Sequence, residues 1–275
     1  MRYGIVIMGE DIPAYCEMAQ AAEEAGWDGV FLPDGIAIGS GGKDFPFFDP
    51  WVLLGALSTK TQHIRLGTMV AAITRRRPWK LARETVTIDH LSNGRLILAA
   101  GLGAAGDDGG FGKVGEPTDF KTLAERLDEC LEILAGLWSG KAFTFSGKHY
   151  HVDAMTMVPV PVQKPHITTW IVGVWPKMKS LNRTLKWDGI VYQKYNMGTL
   201  DANDIRAVRD LASRREPSKP FDIVVSGPTV VKGKKRNLDQ VHAMSDAGAT
   251  WWIEDIWSIP SSKLLQRIKD GPPRI

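Results

Sequence analysis

Cysteine is scarce. The 275 residues hold two, Cys16 and Cys130, far apart and each inside an amphipathic helical pattern. There is no CxxC pair and no disulfide framework, which points to a reducing compartment. Cys130 reads as a small buried hydrophobe rather than a nucleophile. Long apolar runs are missing too: none reaches the roughly 18 residues of a membrane span. The N-terminal apolar run meets Glu10 and Asp11 too early for a signal peptide and offers no cleavage site. A soluble, cytoplasmic protein is therefore expected. Charge of one sign is also lacking. A net charge of +3 demands neither nucleic acid nor an anionic membrane as partner, and the run Arg75-Arg76-Arg77 is too short for a nucleic-acid tail. No G-x-S-x-G elbow, H-E-x-x-H or Walker A motif occurs. His149 and His151 flank Tyr150 without a carboxylate motif and read as solvated, so no metal site is expected.

What is present is a rhythm. Strand-like runs at 3–8, 29–32, 64–70, 95–100, 168–172, 189–192, 221–226 and 250–253 alternate with helical patterns. The helices fall at 12–25, 49–60, from Pro78 to the stop at Asn93-Gly94, at 122–138, from Pro176, and at 201–214, 238–247 and 261–269. Asp49 is placed to cap a helix that Pro50 opens, and Gly26 to stop one. Residues 142–158 alternate like a hairpin, with Ser146-Gly147 as the turn. Eight strands rich in Val, Ile and Leu, each followed by a helix, fit a chain close to the ~250 residues of one barrel. The expectation is a single α/β domain over 1–275, a (β/α)8 TIM barrel with a β-hairpin inserted after the fourth helix. The rival, an open doubly wound sheet, needs a switch point and usually fewer units.

In such a barrel the functional groups lie at the carboxyl ends of the strands and in the loops that follow. Three of those ends stand out. After the fifth strand, Gly173 allows close backbone approach, and a helix opening at Pro176 would present free N–H groups beside Lys177: an anion site, or an ordinary tight turn. After the fourth, Gly101, Gly103 and Gly106 space as GxGxxG, but no helix opens there, which argues against a dinucleotide fingerprint. At the eighth, Trp251, Trp252 and Trp257 offer flat apolar faces. Alternation allows only one of Trp251 and Trp252 to face the barrel; the other packs under the helices.

Several runs carry a family resemblance. Arg-Leu-Gly-Thr-Met-Val-Ala-Ala-Ile-Thr-Arg-Arg-Arg-Pro-Trp-Lys-Leu-Ala-Arg-Glu (65–84) resembles the luciferase-like monooxygenases. So do Asp-His-Leu-Ser-Asn-Gly-Arg-Leu-Ile-Leu-Ala-Ala-Gly-Leu-Gly (89–103), Ala-Glu-Arg-Leu-Asp-Glu (124–129), Gly-Leu-Trp-Ser-Gly (136–140) and Pro-Val-Gln-Lys-Pro (161–165). The resemblance implies a barrel that holds FMN or the 8-hydroxy-5-deazaflavin coenzyme at the strand carboxyl ends. It implies a bulge with a non-proline cis peptide among Thr68, Met69 and Val70, against which the ring packs. Gly101 and Gly103 would flank the ring. Gly173, Val174 and Trp175 would take the phosphate, with Gln193 and Lys194 as further phosphate candidates.

This sequence also departs from the family. Asp34-Gly35 stands where Asp-His is common, and glycine can neither take nor give a proton. Ala104 replaces an acidic residue frequent in the deazaflavin-dependent members, and Val174-Trp175 replaces Gly-Gly. Acid/base work then falls to Asp34 or Glu254, with Asp255 beside it. Arg75 is placed to meet an anionic substrate or coenzyme tail, and Trp252 and Trp257 to line the substrate pocket. The expected function is hydride transfer or oxygen activation on a small organic substrate. The alternative is a flavin-binding paralogue without turnover. The family implies a homodimer as one arrangement.

Overall fold

A computed structural model describes the chain apart from residues 37–38, 41–42, 45–47, 104–109, 217–219, 230–237, 258 and 275. The barrel strands are β1 Arg2–Val6, β2 Gly29–Leu32, β3 Arg65–Thr68, β4 Leu96–Gly101, β5 Thr168–Trp175, β6 Gly189–Lys194, β7 Asp222–Gly227 and β8 Trp251–Glu254. Between and after them run α1 Ile12–Glu24, α2 Pro50–Lys60, α3 Pro78–Leu91, α4 Phe120–Trp138, α5 Met178–Thr184, α6 Ala202–Ala212, α7 Asp239–Ala247 and α8 Ser261–Lys269. Every barrel pairing is parallel. β8 joins β1 (Arg2 beside Trp251), and β4 joins β5 (Thr168 beside Ile97), so the sheet closes on itself. This is the expected (β/α)8 barrel. The hairpin, Phe143–Ser146 with His151–Met155, is inserted between α4 and β5.

Local chemistry sets the helix starts. Asp49 accepts N–H bonds from Trp51 (2.9 Å) and Val52 (3.1 Å) ahead of Pro50. Asp119 takes the Thr122 N–H, so α4 begins two residues before the expected Thr122. Asp201 and Asp204 form a reciprocal capping box on α6. One boundary differs in kind. β5 runs to Trp175, three residues beyond the expected end, and Trp175–Pro176 is a cis peptide. Pro176 therefore shapes the turn, and α5 opens at Met178 instead.

Two apolar layers result. Outside the sheet, strand residues such as Ile5, Val30, Leu66, Ile171 and Trp252 pack under the helices. Inside lie Val6, Phe31, Met69, Ile97, Ala99, Trp170, Val191, Val224, Trp251 and Ile253. Three large rings fill the amino-terminal end of the barrel: Phe31, Trp170 and Trp251, with centroids 5.1–6.1 Å apart. Glycines make room for them. A Cβ on Gly4 or Gly29 would run into the Phe31 ring, and one on Gly189 into Trp170. The opposite, carboxyl-terminal end is left open as a mouth. No helix among the described residues is long and apolar enough to cross a membrane.

Candidate active site at the barrel mouth

The third strand builds the floor of the mouth. From Gly67 beside Ile97 to Ala71 beside Ala100, this segment advances four residues while β4 advances three. That is a one-residue bulge. It contains Met69–Val70, a cis peptide without proline, at the place the family resemblance implies. Thr68 is buried with its hydroxyl on the Ala99 carbonyl, 3.2 Å away.

Beside the bulge opens a cavity of about 490 Å³, within the range of small-molecule sites. Met69, Val70 and Val191 give it an apolar floor, and Gln193, Ser226 and Asp255 a polar wall. Trp252 and Trp257, the expected substrate residues, line it on the β8 side. Trp252 belongs to the outer apolar layer and reaches the cavity by its edge. Its indole N–H is buried and has no partner among the described residues. Trp251 is the residue that faces the barrel axis, in the ring cluster at the far end.

Alternation along β8 separates two neighbouring carboxylates. Trp251 and Ile253 point inward, so Asp255 continues the inward row, while Glu254 falls on the outer side with Trp252. Glu254 is fully buried there. It accepts from the Thr229 N–H and hydroxyl (2.8 Å each) and pairs with Arg267 at 3.2 Å. Those partners occupy its oxygens, and it does not line the cavity. Asp255 does. Burial and the nearby Glu254 charge push its carboxyl up to about 6, against hydrogen bonds from Ser226 and Trp257 that hold it down; burial is the largest effect. The acid/base expectation thus shifts from Glu254 to Asp255. Only strand register, invisible in composition, distinguishes them.

Asp34 is also committed. Its side chain is fully buried, bridged by Arg75 and, at 2.9 Å, by Arg76, and it accepts the Ala72 N–H at 3.1 Å. Arg75 additionally lies over the Phe111 ring, 5.7 Å from its centroid. The arginine expected to meet a substrate instead ties the loop after β2 to the bulge after β3.

The expected phosphate residues are arranged differently from the sequence reading. A Cβ on Gly173 would meet the Ile190 side chain and, at 3.0 Å, the Thr184 methyl. Its bareness therefore serves packing under α5 rather than ligand approach. The Val174 N–H donates to the Ser180 hydroxyl at 3.2 Å. Trp175 packs against the outer layer. Lys194 lines the cavity but bonds Asp204 at 2.8 Å. Gly101 has the Val172 side chain 2.9 Å from its would-be Cβ, and Gly103 (φ 97°) lies against the Phe111 ring. Ala104 falls outside the described residues.

Among the described residues no three His, Cys, Asp or Glu side chains gather as a metal site. His149 is not simply solvated: it bonds Glu125 at 2.9 Å and is largely covered. Cys130 is buried, and burial pushes its thiol far above the usual range, as suits a packing residue.

Barrel, bulge and open mouth leave a cavity of small-molecule size at the carboxyl ends of the strands. The chain belongs to the luciferase-like monooxygenase family, whose profile covers residues 2–261. It is 28% identical over 267 residues to an uncharacterised protein of Mycobacterium tuberculosis, covering 91% of this chain and 87% of the relative. It is 32% identical over 149 residues to an F420-dependent glucose-6-phosphate dehydrogenase of Gordonia bronchialis, covering 54% and 44%. Among solved structures, the coenzyme F420-dependent tetrahydromethanopterin reductase of Methanopyrus kandleri superposes with a TM-score of 0.76 at 14% identity, over 98% of each chain. The oxygenating constituent of a Pseudomonas putida diketocamphane monooxygenase, in complex with FMN, gives 0.66 at 16%, over 83% of this chain and 67% of that one. F420 is a deazaflavin coenzyme, so these neighbours span both coenzymes that the resemblance implies.

Proposed function

We propose that this chain is an oxidoreductase that binds FMN or the 8-hydroxy-5-deazaflavin coenzyme at the barrel mouth and acts on a small organic substrate. The observation that carries this is the cavity itself: an apolar floor at the Met69–Val70 bulge, facing a wall of hydrogen-bonding groups. A flat heterocycle needs both. When bound, the coenzyme supplies hydride acceptance or donation, or, as reduced FMN, oxygen activation. The protein supplies position, a covered apolar face and proton-carrying groups. Met69, Val70 and Val191 present the face, and Gln193 and Ser226 offer hydrogen bonds to a polar ring edge. The 32%-identical dehydrogenase favours the deazaflavin.

A second reading, a flavin binder without turnover, is favoured by one observation. Gly35 has no side-chain proton to offer, and Asp34 is occupied by Arg75 and Arg76. Titration of the purified protein with each coenzyme, followed by absorbance and fluorescence, tests the first reading. Saturable binding of one is expected, and binding of neither sinks it. Reduction of the bound coenzyme by a panel of alcohols and aldehydes then separates enzyme from binder.

A further inference from the structure

We propose that Asp255 is the group that exchanges a proton with the substrate, standing in for the residue that Gly35 cannot provide. The inference rests on the oxidoreductase reading above.

Position comes first. Asp255 continues the inward row of β8 past Trp251 and Ile253, and its side chain lines the cavity that Met69 and Val70 floor. A group taking or giving a substrate proton has to face the ligand space; Asp34 and Glu254 do not line this cavity.

Hydrogen bonding comes second. The Ser226 hydroxyl and the Trp257 side chain lie near the Asp255 carboxyl and favour its ionised form. A carboxylate accepts at about four sites, so lone pairs remain available to a ligand.

Electrostatics comes third. Among the described residues Asp255 has no ion-pair partner. Glu254, adjacent in the chain, pairs with Arg267 on the outer side, and its charge still raises the Asp255 carboxyl. Lys194, on the β6 side of the same cavity, is held by Asp204 at 2.8 Å with Asp201 at 3.8 Å. The Tyr192 hydroxyl donates to the Asp204 carbonyl at 3.2 Å. A carboxyl with this burial titrates near neutrality, where an acid–base group works in both directions.

The step balances as follows for an alcohol. The substrate O–H bond breaks and its proton passes to the Asp255 carboxylate. The electron pair of that bond forms the C=O double bond as the carbinol carbon loses hydride to the oxidised flavin or deazaflavin. In reverse, the Asp255 carboxylic acid returns the proton to the forming alkoxide. The same carboxyl serves an amine and its imine.

The test has two readouts. In coenzyme-free protein, 13C-carboxyl NMR of labelled aspartate is compared between wild type and Asp255→Asn. One resonance that titrates near pH 6 and vanishes in the variant is expected. Ser226→Ala removes a hydroxyl that favours the ionised form and is expected to move that inflection upward. In coenzyme-loaded protein with whichever alcohol or aldehyde reduces it, kcat/KM is followed against pH. Asp255→Asn is expected to lose about 100-fold or more and the inflection near pH 6, with Asp255→Glu recovering part of both. If wild type binds neither coenzyme, the oxidoreductase reading falls and this assignment with it. If wild type binds and turns over while Asp255→Asn keeps its rate and pH profile, the assignment alone is overturned. An Asp255 carboxyl that titrates in the ordinary range, unmoved by Ser226→Ala, overturns it as well.

Discussion

Asp34 holds two arginines at once, and the cost of removing it follows from what it would leave behind. The side chains of Arg75 and Arg76 are 11% and 15% exposed. With the carboxylate gone, two largely buried cations face each other, and of the two Arg76 alone keeps an acidic neighbour, Asp49 at 3.7 Å. Asp34→Ala is expected to destabilise the fold by about 3 kcal/mol, the order seen when one partner of a buried pair is deleted. Urea unfolding at neutral pH measures it, and a change near zero would show that the cluster is solvated. Asp255 predicts the opposite sign. Its carboxyl is raised to about 6 in the fold from a reference near 3.8, so the native state binds the extra proton between those values. Stability from this group is fully present below about pH 4 and is lost as pH rises through 6. At pH 7.5 the buried charge is a net cost, and Asp255→Asn should raise stability by about 3 kcal/mol. At pH 3.5 the variant and the parent should match. Comparison of unfolding curves at the two pH values checks both the sign and the window.

At the scale of elements, the helices and strands were legible because their signals are local. The caps at Asp49 and Pro50 and the stop at Gly26 need only neighbouring residues, and α8 occupies the expected 261–269. The position of the bulge was legible through the family resemblance. What escaped was orientation. Gly173, expected to let a ligand approach, packs under α5; of the neighbours Glu254 and Asp255, Glu254 faces outward. Strand side chains alternate with period two, so an uncertainty of one residue in register exchanges the two faces of the sheet. Backbone hydrogen bonds fix register, and they come from other strands. The hairpin shows another distant contact. Glu129 of α4 accepts the N–H groups of Lys148 (2.8 Å), His149 (3.0 Å) and Tyr150 (3.0 Å), pinning the turn to the barrel's helical shell. Glu129→Ala should free those three amides. Their hydrogen exchange should quicken by a factor corresponding to roughly 1–3 kcal/mol, while the barrel strands keep their protection.

For the whole molecule, closure and filling are coupled. Gly67 has no room for a side chain: a Cβ there would sit 2.5 Å from the Ile97 carbonyl oxygen and press on the Phe31 ring. A backbone oxygen in a closed sheet cannot step aside as a side chain can. Gly67→Ala is expected to cost about 3 kcal/mol, read as a lowered thermal midpoint. Trp251→Ala removes a ring from the same packed end and is expected to cost about 4 kcal/mol. Coenzyme affinity, measured well below the melting range, should be unaffected by the second change, because the cavity lies at the other end of the strands. A variant that unfolds no more easily but binds weakly would show that the two ends are mechanically joined.

Phe31, Trp170 and Trp251 also govern traffic. With the barrel stoppered at one end by rings in van der Waals contact, nothing passes through it, and the mouth is both entrance and exit. Whatever lies deepest arrives first and departs last. On the proposed function, two reactants stacked along the barrel axis would queue, and the first product out would be the one that came in second. Steady-state patterns of product inhibition would record this as compulsory order.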